Sequence, residues 1–454
     1  MNKIFKVIWS KSKQCYIVVS EIAKNKTGKK KIVVASILAA LTMTANIVTV
    51  EGAIPEGTRT DHLGLAIGTS SNSKSNQSVA IGYASSAEAP GANPENPATA
   101  VGAGANANGA GTVALGLSAN ATGTNAVALG GGSNGGTNKT EATAANTTAI
   151  GFNAKASKSG AAAIGSGAKA SGSDSISFGT DTVADSEKAI AIGAGSKATN
   201  IGATALGRSS AATAASATAV GSLASATGTT ATAVGIEASA SGAESLAIGK
   251  TASATSGRAL AVGTNAKATG ASSVAVGSGA GNSGPLGFAS SINSLGSVVN
   301  SLKTINYATT AEGDYAVALG VYANAKNSGV AVGQNALAAT GGVAIGKGVL
   351  EDTGNNLAGG VAIGQDSAST GAYSLAMGRH AFASGSTSMA MGYEASANGN
   401  FAVAMGRNVT ATGTSTAIGR HATASNGGLA IGSQENDVSD DRTTASAKGA
   451  VAIG

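Results

Sequence analysis

The chain has 454 residues, of which 67 are glycine, 43% are hydrophobic, 11% are charged and only 3% are aromatic. So few aromatic residues exclude an ordinary large globular core, and so few charges exclude disorder driven by charge. The formal net charge of +6 does not indicate a nucleic-acid partner, because residues 1–31 hold nine of the 29 basic residues. Residues 32–454 have 20 basic and 22 acidic residues, which leaves no basic surface for phosphates.

The N-terminal segment has the pattern of an export signal. Three lysines at 29–31 precede an apolar run at 32–41, and small residues follow, so we expect cleavage between Ala45 and Ala53. A membrane anchor over 32–50 is the alternative, which the polar residues in its second half disfavour. The single cysteine, Cys15, lies within this leader, so the mature chain needs no disulfide.

A four-residue motif recurs from Leu65 to Gly454: a large apolar residue or Thr, then Ala, a large apolar residue and Gly. It occurs 25 times, and 15 of the 24 spacings between its glycines are 14 residues while four are 13. A fixed period of this kind predicts a solenoid. The second position is Ala in every copy except Ser177, and the third is always large and apolar. Because strand side chains alternate, we expect the Ala side to be buried within the coil and the bulky side against another surface.

A second, weaker pattern follows each motif glycine: Ala at three and five residues, and often Gly at seven. Gly263, for example, is followed by Ala266, Ala268 and Gly270. This predicts a second short strand between two tight turns, in which glycine supplies a positive φ. Parallel coils about 4.8 Å apart would form a rod of roughly 115 Å. Two large apolar groups per coil do not offset the ordering entropy, so self-association is expected.

The period is interrupted five times. The breaks fall at 83–98, 131–147, 278–313, 347–360 and 433–448. Residues 278–316 are expected to form an insertion, because apolar residues there have nearly helical spacing and favour a projecting helix or hairpin. One or two degenerate coils are the alternative. The insertion contains Phe288, Lys303 and Tyr307, which are candidate ligand contacts in a protein otherwise made of small residues.

The motif resembles a known family. Residues 78–82 (Ser-Val-Ala-Ile-Gly) and 273–277 (Ser-Val-Ala-Val-Gly) are similar to the head repeats of YadA-like trimeric autotransporter adhesins. Residues 1–24 resemble the extended signal peptide region of large autotransporters, with Ser10 where Asn is usual. The resemblance implies an all-β fold: a left-handed parallel β-roll or solenoid with ~14-residue coils, assembled as a homotrimer. It also implies export to the surface of a bacterium with an outer membrane.

The resemblance further implies an adhesin head that binds host-cell or matrix proteins, glycans or other bacteria. A purely structural surface spacer without a specific ligand is the alternative. The expected organisation is an extended signal peptide (1–53), an N-terminal cap (54–64), head repeats (65–277), the insertion (278–316) and further head repeats (317–454). Family members normally continue into a stalk and a membrane anchor, so we expect the chain to stop before its outer-membrane anchor.

No pattern predicts an enzyme, a cofactor site or a metal site. Gly279-x-Gly281-x-x-Gly284 matches a dinucleotide fingerprint only by letter, and the phosphate-loop imitation at 341–348 lacks the required Ser or Thr. His380 and His421 occupy matching Gly-Arg-His-Ala segments. We expect both to be exposed turn residues, and anion or metal rings across a trimer axis are the alternative.

Overall fold

The computed structural model describes residues 5–10, 15–20, 64–89, 96–132, 138–279, 308–351, 359–433 and 442–454. The chain forms two compact units, 1–59 and 60–454. In the first unit, β1 (Phe5–Ser10) and β2 (Cys15–Ser20) form an antiparallel sheet. The apolar run at 32–41 and the expected cleavage region lie outside the described residues. No helix in the described part of the chain is long and apolar enough to span a membrane.

The second unit consists of two parallel sheets, and every copy of the sequence motif forms a strand of the first. These motif strands are β3 (Leu65–Ile67), β5 (Val79–Ile81), β7 (Thr99–Val101), β9 (Val113–Leu115), β11 (Val127–Leu129), β13 (Thr148–Ile150), β15 (Ala162–Ile164), β17 (Ile176–Phe178), β19 (Ile190–Ile192), β21 (Thr204–Leu206), β23 (Thr218–Val220), β25 (Thr232–Val234), β27 (Leu246–Ile248), β29 (Leu260–Val262), β31 (Val274–Val276), β33 (Val317–Leu319), β35 (Val330–Val332), β37 (Val343–Ile345), β39 (Val361–Ile363), β41 (Leu375–Met377), β43 (Met389–Met391), β45 (Val403–Met405), β47 (Thr416–Ile418), β49 (Leu429–Ile431) and β51 (Val451–Ile453).

The second sheet is built from shorter strands that follow the motif strands in alternation. They are β4 (Asn72–Ser73), β6 (Ser86–Glu88), β8 (Asn106–Asn108), β10 (Asn120–Ala121), β12 (Glu141–Ala142), β14 (Lys155–Ala156), β16 (Lys169–Ala170), β18 (Val183–Ala184), β20 (Lys197–Ala198), β22 (Ala211–Ala212), β24 (Ser225–Ala226), β26 (Ser239–Ala240), β28 (Ser253–Ala254), β30 (Lys267–Ala268), β32 (Thr310–Ala311), β34 (Asn324–Ala325), β36 (Leu337–Ala338), β38 (Leu350–Glu351), β40 (Ala368–Ser369), β42 (Phe382–Ala383), β44 (Ser396–Ala397), β46 (Thr410–Ala411), β48 (Thr423–Ala424) and β50 (Thr444–Ala445).

Successive coils stack in register. Ala247 of β27 lies opposite Ala233 of the preceding motif strand and Ala261 of the following one, and the second sheet pairs in the same way. Each coil therefore contributes one strand to each sheet. The predicted parallel solenoid with ~14-residue coils and two short strands per coil is confirmed.

The core of the solenoid is made mainly of alanine, with Ser or Thr at some inward positions and valine at Val349 and Val409. In the coil that begins at β27, the inward side chains are Ala247, Ala252, Ala254 and Ala259, each at most 1% exposed. Ser177, the one exception to the motif alanine, points inward too, and its hydroxyl lies 2.6 Å from that of Thr182. An interior this thin has room for small side chains only, which is why the motif requires Ala at its centre.

The two turns of each coil differ in what they demand of the chain. We call the motif glycine and the two residues after it the motif turn, and the segment from the second strand to the next motif strand the return turn. In the motif turn Gly249 has φ +129, and a Cβ there would lie 2.6 Å from the carbonyl oxygen of Gly263. The left-handed position two residues later is taken by a residue other than glycine, Thr251, with φ of 54°.

The prediction that glycine supplies a positive φ in the return turn is confirmed at Gly160 and Gly202, with φ of 70° and 64°, but not at Gly242, seven residues after its motif glycine. Gly242 does not have a positive φ, yet a Cβ on it would lie 1.9 Å from the carbonyl oxygen of Ser256 in the next coil. The positive φ of this turn belongs to Glu244, at 58°. Glycine is therefore required there because the next coil passes too close for any side chain.

The breaks in the period do not interrupt either sheet. One strand of the second sheet forms within each break: β6, β12, β32, β38 and β50. The first four pair with a strand on each side, and β50 pairs with β48. Additional residues leave the solenoid at the motif turn after β11, β31 and β49, and at the return turn after β6 and β38. Residues 308–316, expected to belong to the insertion, form part of a regular coil, because β32 pairs with β30 and β34. The possible helix or hairpin at 280–307 lies outside the described residues.

The 13-residue coils lose their residue in the return turn. Gly320 precedes Asn324 by four residues, as in the 14-residue coils, whereas Ala325 is followed by Val330 after five residues instead of six. The shorter return turn is closed by the N–H of Gly329, which donates to the carbonyl of Lys326. In the coils without an insertion, the motif turn thus keeps a constant length, whereas the return turn is one residue shorter in the 13-residue coils than in the 14-residue coils.

Candidate binding surfaces

The motif sheet presents a continuous apolar surface on the outside of the solenoid. We call the first and third residues of the motif strands the apolar ridge. These side chains are half-buried or exposed throughout the described chain: Ile248 is 38% exposed, Leu206 43% and Phe178 51%. The expectation that the bulky side of the motif is not covered by its own coil is therefore confirmed. Repeated branched and aromatic side chains along one face are typical of a surface that packs against a partner.

The outer side of the second sheet is polar and carries ion pairs between coils. Glu141 of β12 accepts from Lys155, which lies opposite it in β14, at 3.4 Å, and from Lys139 at 3.3 Å. Near the N-terminal end, Lys74 and Glu88 pair across neighbouring coils at 3.1 Å. These exposed pairs each stabilise the solenoid by less than about 1 kcal/mol. The two sheets therefore differ in character, and only the motif sheet is apolar on its outer side.

The candidate ligand contacts named from the sequence, Phe288, Lys303 and Tyr307, lie outside the described residues, so their arrangement stays a prediction. Their point of attachment is described. The chain leaves the solenoid after Gly279 in the motif turn that follows β31, and returns at Ala308 just before β32. The insertion is therefore attached at the edge between the two sheets.

The segment at 341–348 that imitates a phosphate loop does not have the geometry of one, and all of the dinucleotide-like segment at 279–284 except Gly279 lies outside the described residues. Within 341–348 lies the strand β37, with no helix after it, and Lys250 is an exposed motif-turn residue. His380 and His421 occupy the left-handed position of their motif turns, with φ of 57° and 61°. In the described part of the chain, no group of three or more His, Cys, Asp or Glu residues is placed to hold a metal ion.

A cluster of aromatic and basic side chains, which the sequence analysis passed over, lies on the motif turns of four consecutive coils. We call Arg379, Tyr393, Arg407 and Arg420, each directly after a motif glycine, the basic turn column. The guanidinium carbons of Arg379 and Arg407 lie 5.8 and 5.7 Å from the centre of the Tyr393 ring. His380 meets the same ring edge-on at 6.3 Å. The spacing of 13 or 14 residues between the four residues of the column, each directly after a motif glycine, was the signal that could have revealed this cluster.

The sequence of the chain matches two family models. Residues 1–48 match the extended signal peptide of the type V secretion system. The YadA head domain repeat matches at 63–85, 97–119, 107–133, 142–168, 170–196, 198–224, 226–252, 254–280, 307–323, 358–381 and 383–408, which together cover more than half of the chain. The chain belongs to the trimeric autotransporter adhesins. No curated protein matches it.

Membership of this family places the adhesin. An extended signal peptide followed by head repeats makes the chain a secreted autotransporter passenger that is displayed on the cell surface. YadA-like adhesins are a non-enzymatic family, and membership of this family suggests that the chain self-associates and is anchored in the outer membrane. Within the head, the apolar ridge and the turn edges are the surfaces open to a partner.

Proposed function

We propose that this adhesin is a homotrimer whose heads attach the bacterium to host cells, extracellular matrix or other bacteria, and that it is not an enzyme. The observation that carries the proposal is the apolar ridge, which runs along the motif strands and is not covered by the described residues of the chain. Covering the ridge with two further copies would leave the polar second sheet and the turns facing outward. Three copies on one rod would raise avidity without a strong single pocket.

We propose that the insertion between Gly279 and Ala308 carries a share of the ligand contacts, through Phe288, Lys303 and Tyr307. Outside the apolar ridge, the regular coils expose mainly small or polar side chains, with larger ones such as Tyr83, Tyr373 and Phe401 in single turns, which gives little area for a binding hot spot. Aromatic and long basic side chains supply that area, and insertions of solenoids usually project on the face used for recognition. The competing function is a structural spacer, which needs no such residues.

Deletion of residues 280–308 separates these functions. It joins Gly279 to Thr309 and restores the 14-residue spacing between the motif glycines of β31 and β33. Thr309 is already a buried residue of the coil, whose hydroxyl donates to the carbonyl of Gly320 at 2.8 Å. We expect the deletion to leave the melting temperature within a few degrees of the parent.

The assay is adherence of beads coated with the purified, exported chain to cultured host cells, matrix proteins and other bacteria. We expect the parent to adhere and the deletion variant to adhere less. Failure of the parent to adhere to any of these surfaces would favour the spacer. Equal adherence of parent and deletion variant would show that the binding residues lie elsewhere on the rod.

A further inference from the structure

The charges of the C-terminal coils are segregated to one edge of the solenoid. Between residues 359 and 433 there are five Asp, Glu, Lys and Arg residues, and all of them lie in motif turns. They are Asp366, Arg379, Glu394, Arg407 and Arg420. Both sheets of this region are consequently free of formal charge, so any ligand held by charge must bind along this edge.

The backbone fixes these turns one above another. The N–H of Glu394 donates to the carbonyl of Arg379 at 3.0 Å, and the N–H of Asn408 donates to the carbonyl of Tyr393 at 2.8 Å. The N–H of His421 continues the series to Arg407 at 2.9 Å. The positions directly after the motif glycines therefore form a straight row in which Arg379 and Arg407 are two coils, or roughly 10 Å, apart.

Tyr393 orients the two neighbouring arginines without occupying their hydrogen-bond donors. Both guanidinium groups lie within the range of a cation–π contact with its ring. Within the described residues, no carboxylate lies within 4.0 Å of Arg379 or Arg407, in contrast to the paired lysines around Glu141. A planar guanidinium has five N–H donors and suits oxyanions with two oxygens in one plane.

Resting on the proposed adhesive function, we propose that the basic turn column binds an acidic polysaccharide that carries sulfate or carboxylate groups. Such a chain is linear and repeats its anionic groups along its length, as the column repeats its guanidinium groups along the rod. A nucleic acid is disfavoured because the one aromatic ring of the column already contacts two arginines and is not free to stack with bases. Glu394 and Asp366 stand one residue further along their turns, outside the row itself.

The test measures binding of immobilised heparin to the exported chain in its native assembly, at physiological salt. We expect the affinity of the double variant Arg379→Gln/Arg407→Gln for heparin to fall by about tenfold or more, because two charge-assisted contacts are lost. The matched control is Arg208→Gln/Lys250→Gln, which removes the same charge from exposed motif-turn positions of other coils. Its affinity should change less than about twofold, since screening at this salt leaves distant charges little effect.

A second pair of variants tests the role of the tyrosine. Tyr393→Phe keeps the ring and should bind like the parent, whereas Tyr393→Leu keeps every charge but should bind several-fold more weakly, because the arginines lose their orientation. The side chain of Tyr393 is exposed in the parent fold, so both variants should keep the melting temperature of the parent.

Equal weakening by the two double variants, absence of heparin binding by the parent, or equal binding of single-stranded DNA and heparin would each overturn the inference. Heparin that is both desulfated and carboxyl-reduced carries no anionic groups and should not bind, so tight binding to it would also contradict the proposal. The bead assay distinguishes this failure from failure of the proposed function. Beads that adhere to cells without binding heparin would refute the glycan site alone, whereas beads that adhere to nothing would refute adhesion.

Discussion

Replacement of Ile248 by Asp tests whether the apolar ridge is covered in the native assembly. Ile248 is the third residue of β27, within the unbroken run of coils from β13 to β31, and is 38% exposed in the single chain. The sequence alone suggested that the charge would be buried, but the side chain is partly exposed in the single chain, so full burial requires a partner surface. Full burial of such a side chain stabilises by about 1.5–3 kcal/mol, so roughly 1–2 kcal/mol would be lost in an isolated chain.

In a homotrimer the loss should be much larger. An unpaired charge buried in an interface destabilises by about 3–5 kcal/mol, and it occurs in three copies, which gives about 9–15 kcal/mol for the assembly. Two controls bracket this value. Lys250→Asp lies in the exposed motif turn of the same coil and should change stability by less than about 0.5 kcal/mol. Ala247→Asp puts a charge into the alanine core and should disrupt the coil whatever its assembly.

Thermal unfolding followed by circular dichroism compares the stability of the three variants, and sedimentation velocity compares their assembly. We expect Ile248→Asp to melt far below Lys250→Asp and to sediment more slowly than the parent. If the two variants melt together while Ala247→Asp is unfolded, the ridge is not covered and the packing argument is wrong.

Two further substitutions test the coil itself. Gly249→Ala should destabilise the fold by about 2–4 kcal/mol, because φ is +129 and the added Cβ would lie 2.6 Å from the carbonyl oxygen of Gly263. The control Gly257→Ala should be neutral or slightly stabilising, because the nearest atom to its added Cβ is 3.8 Å away. Equal melting temperatures of the two variants would contradict the close approach at Gly249. Ser177→Ala should change stability by less than about 1 kcal/mol, because the hydroxyl of Thr182 keeps its bond to the carbonyl of Gly179 at 3.0 Å; a large loss in urea unfolding would show that the hydroxyl pair is structural.

The fold could be predicted from the sequence because each coil repeats one local rule. The side of the strand that carries Ala247 had to face a thin interior, and the opposite side with Leu246 and Ile248 had to face outward. The role of the return-turn glycine could not be predicted, because the constraint at Gly242 comes from a neighbouring coil and not from its own φ. Contacts between residues 14 apart have no signature in the properties of a single residue.

The candidate site was harder to predict for a similar reason. Phe288, Lys303 and Tyr307 were conspicuous in composition, but composition does not give their arrangement. The pairing of Tyr393 with Arg379 and Arg407 depends on the constant length of the motif turn, which places residues of different coils side by side. The motif turn has the same length in the 13-residue coils, because those coils are shorter in the return turn instead.

The mass of the exported chain in solution tests the central claim most directly. Sedimentation equilibrium of the purified protein across a wide concentration range should give three times the mass of one chain, because the exposed apolar ridge needs a partner surface and the proposed assembly is a homotrimer. A folded, stable monomer at every concentration would contradict both the packing argument and the proposed homotrimer.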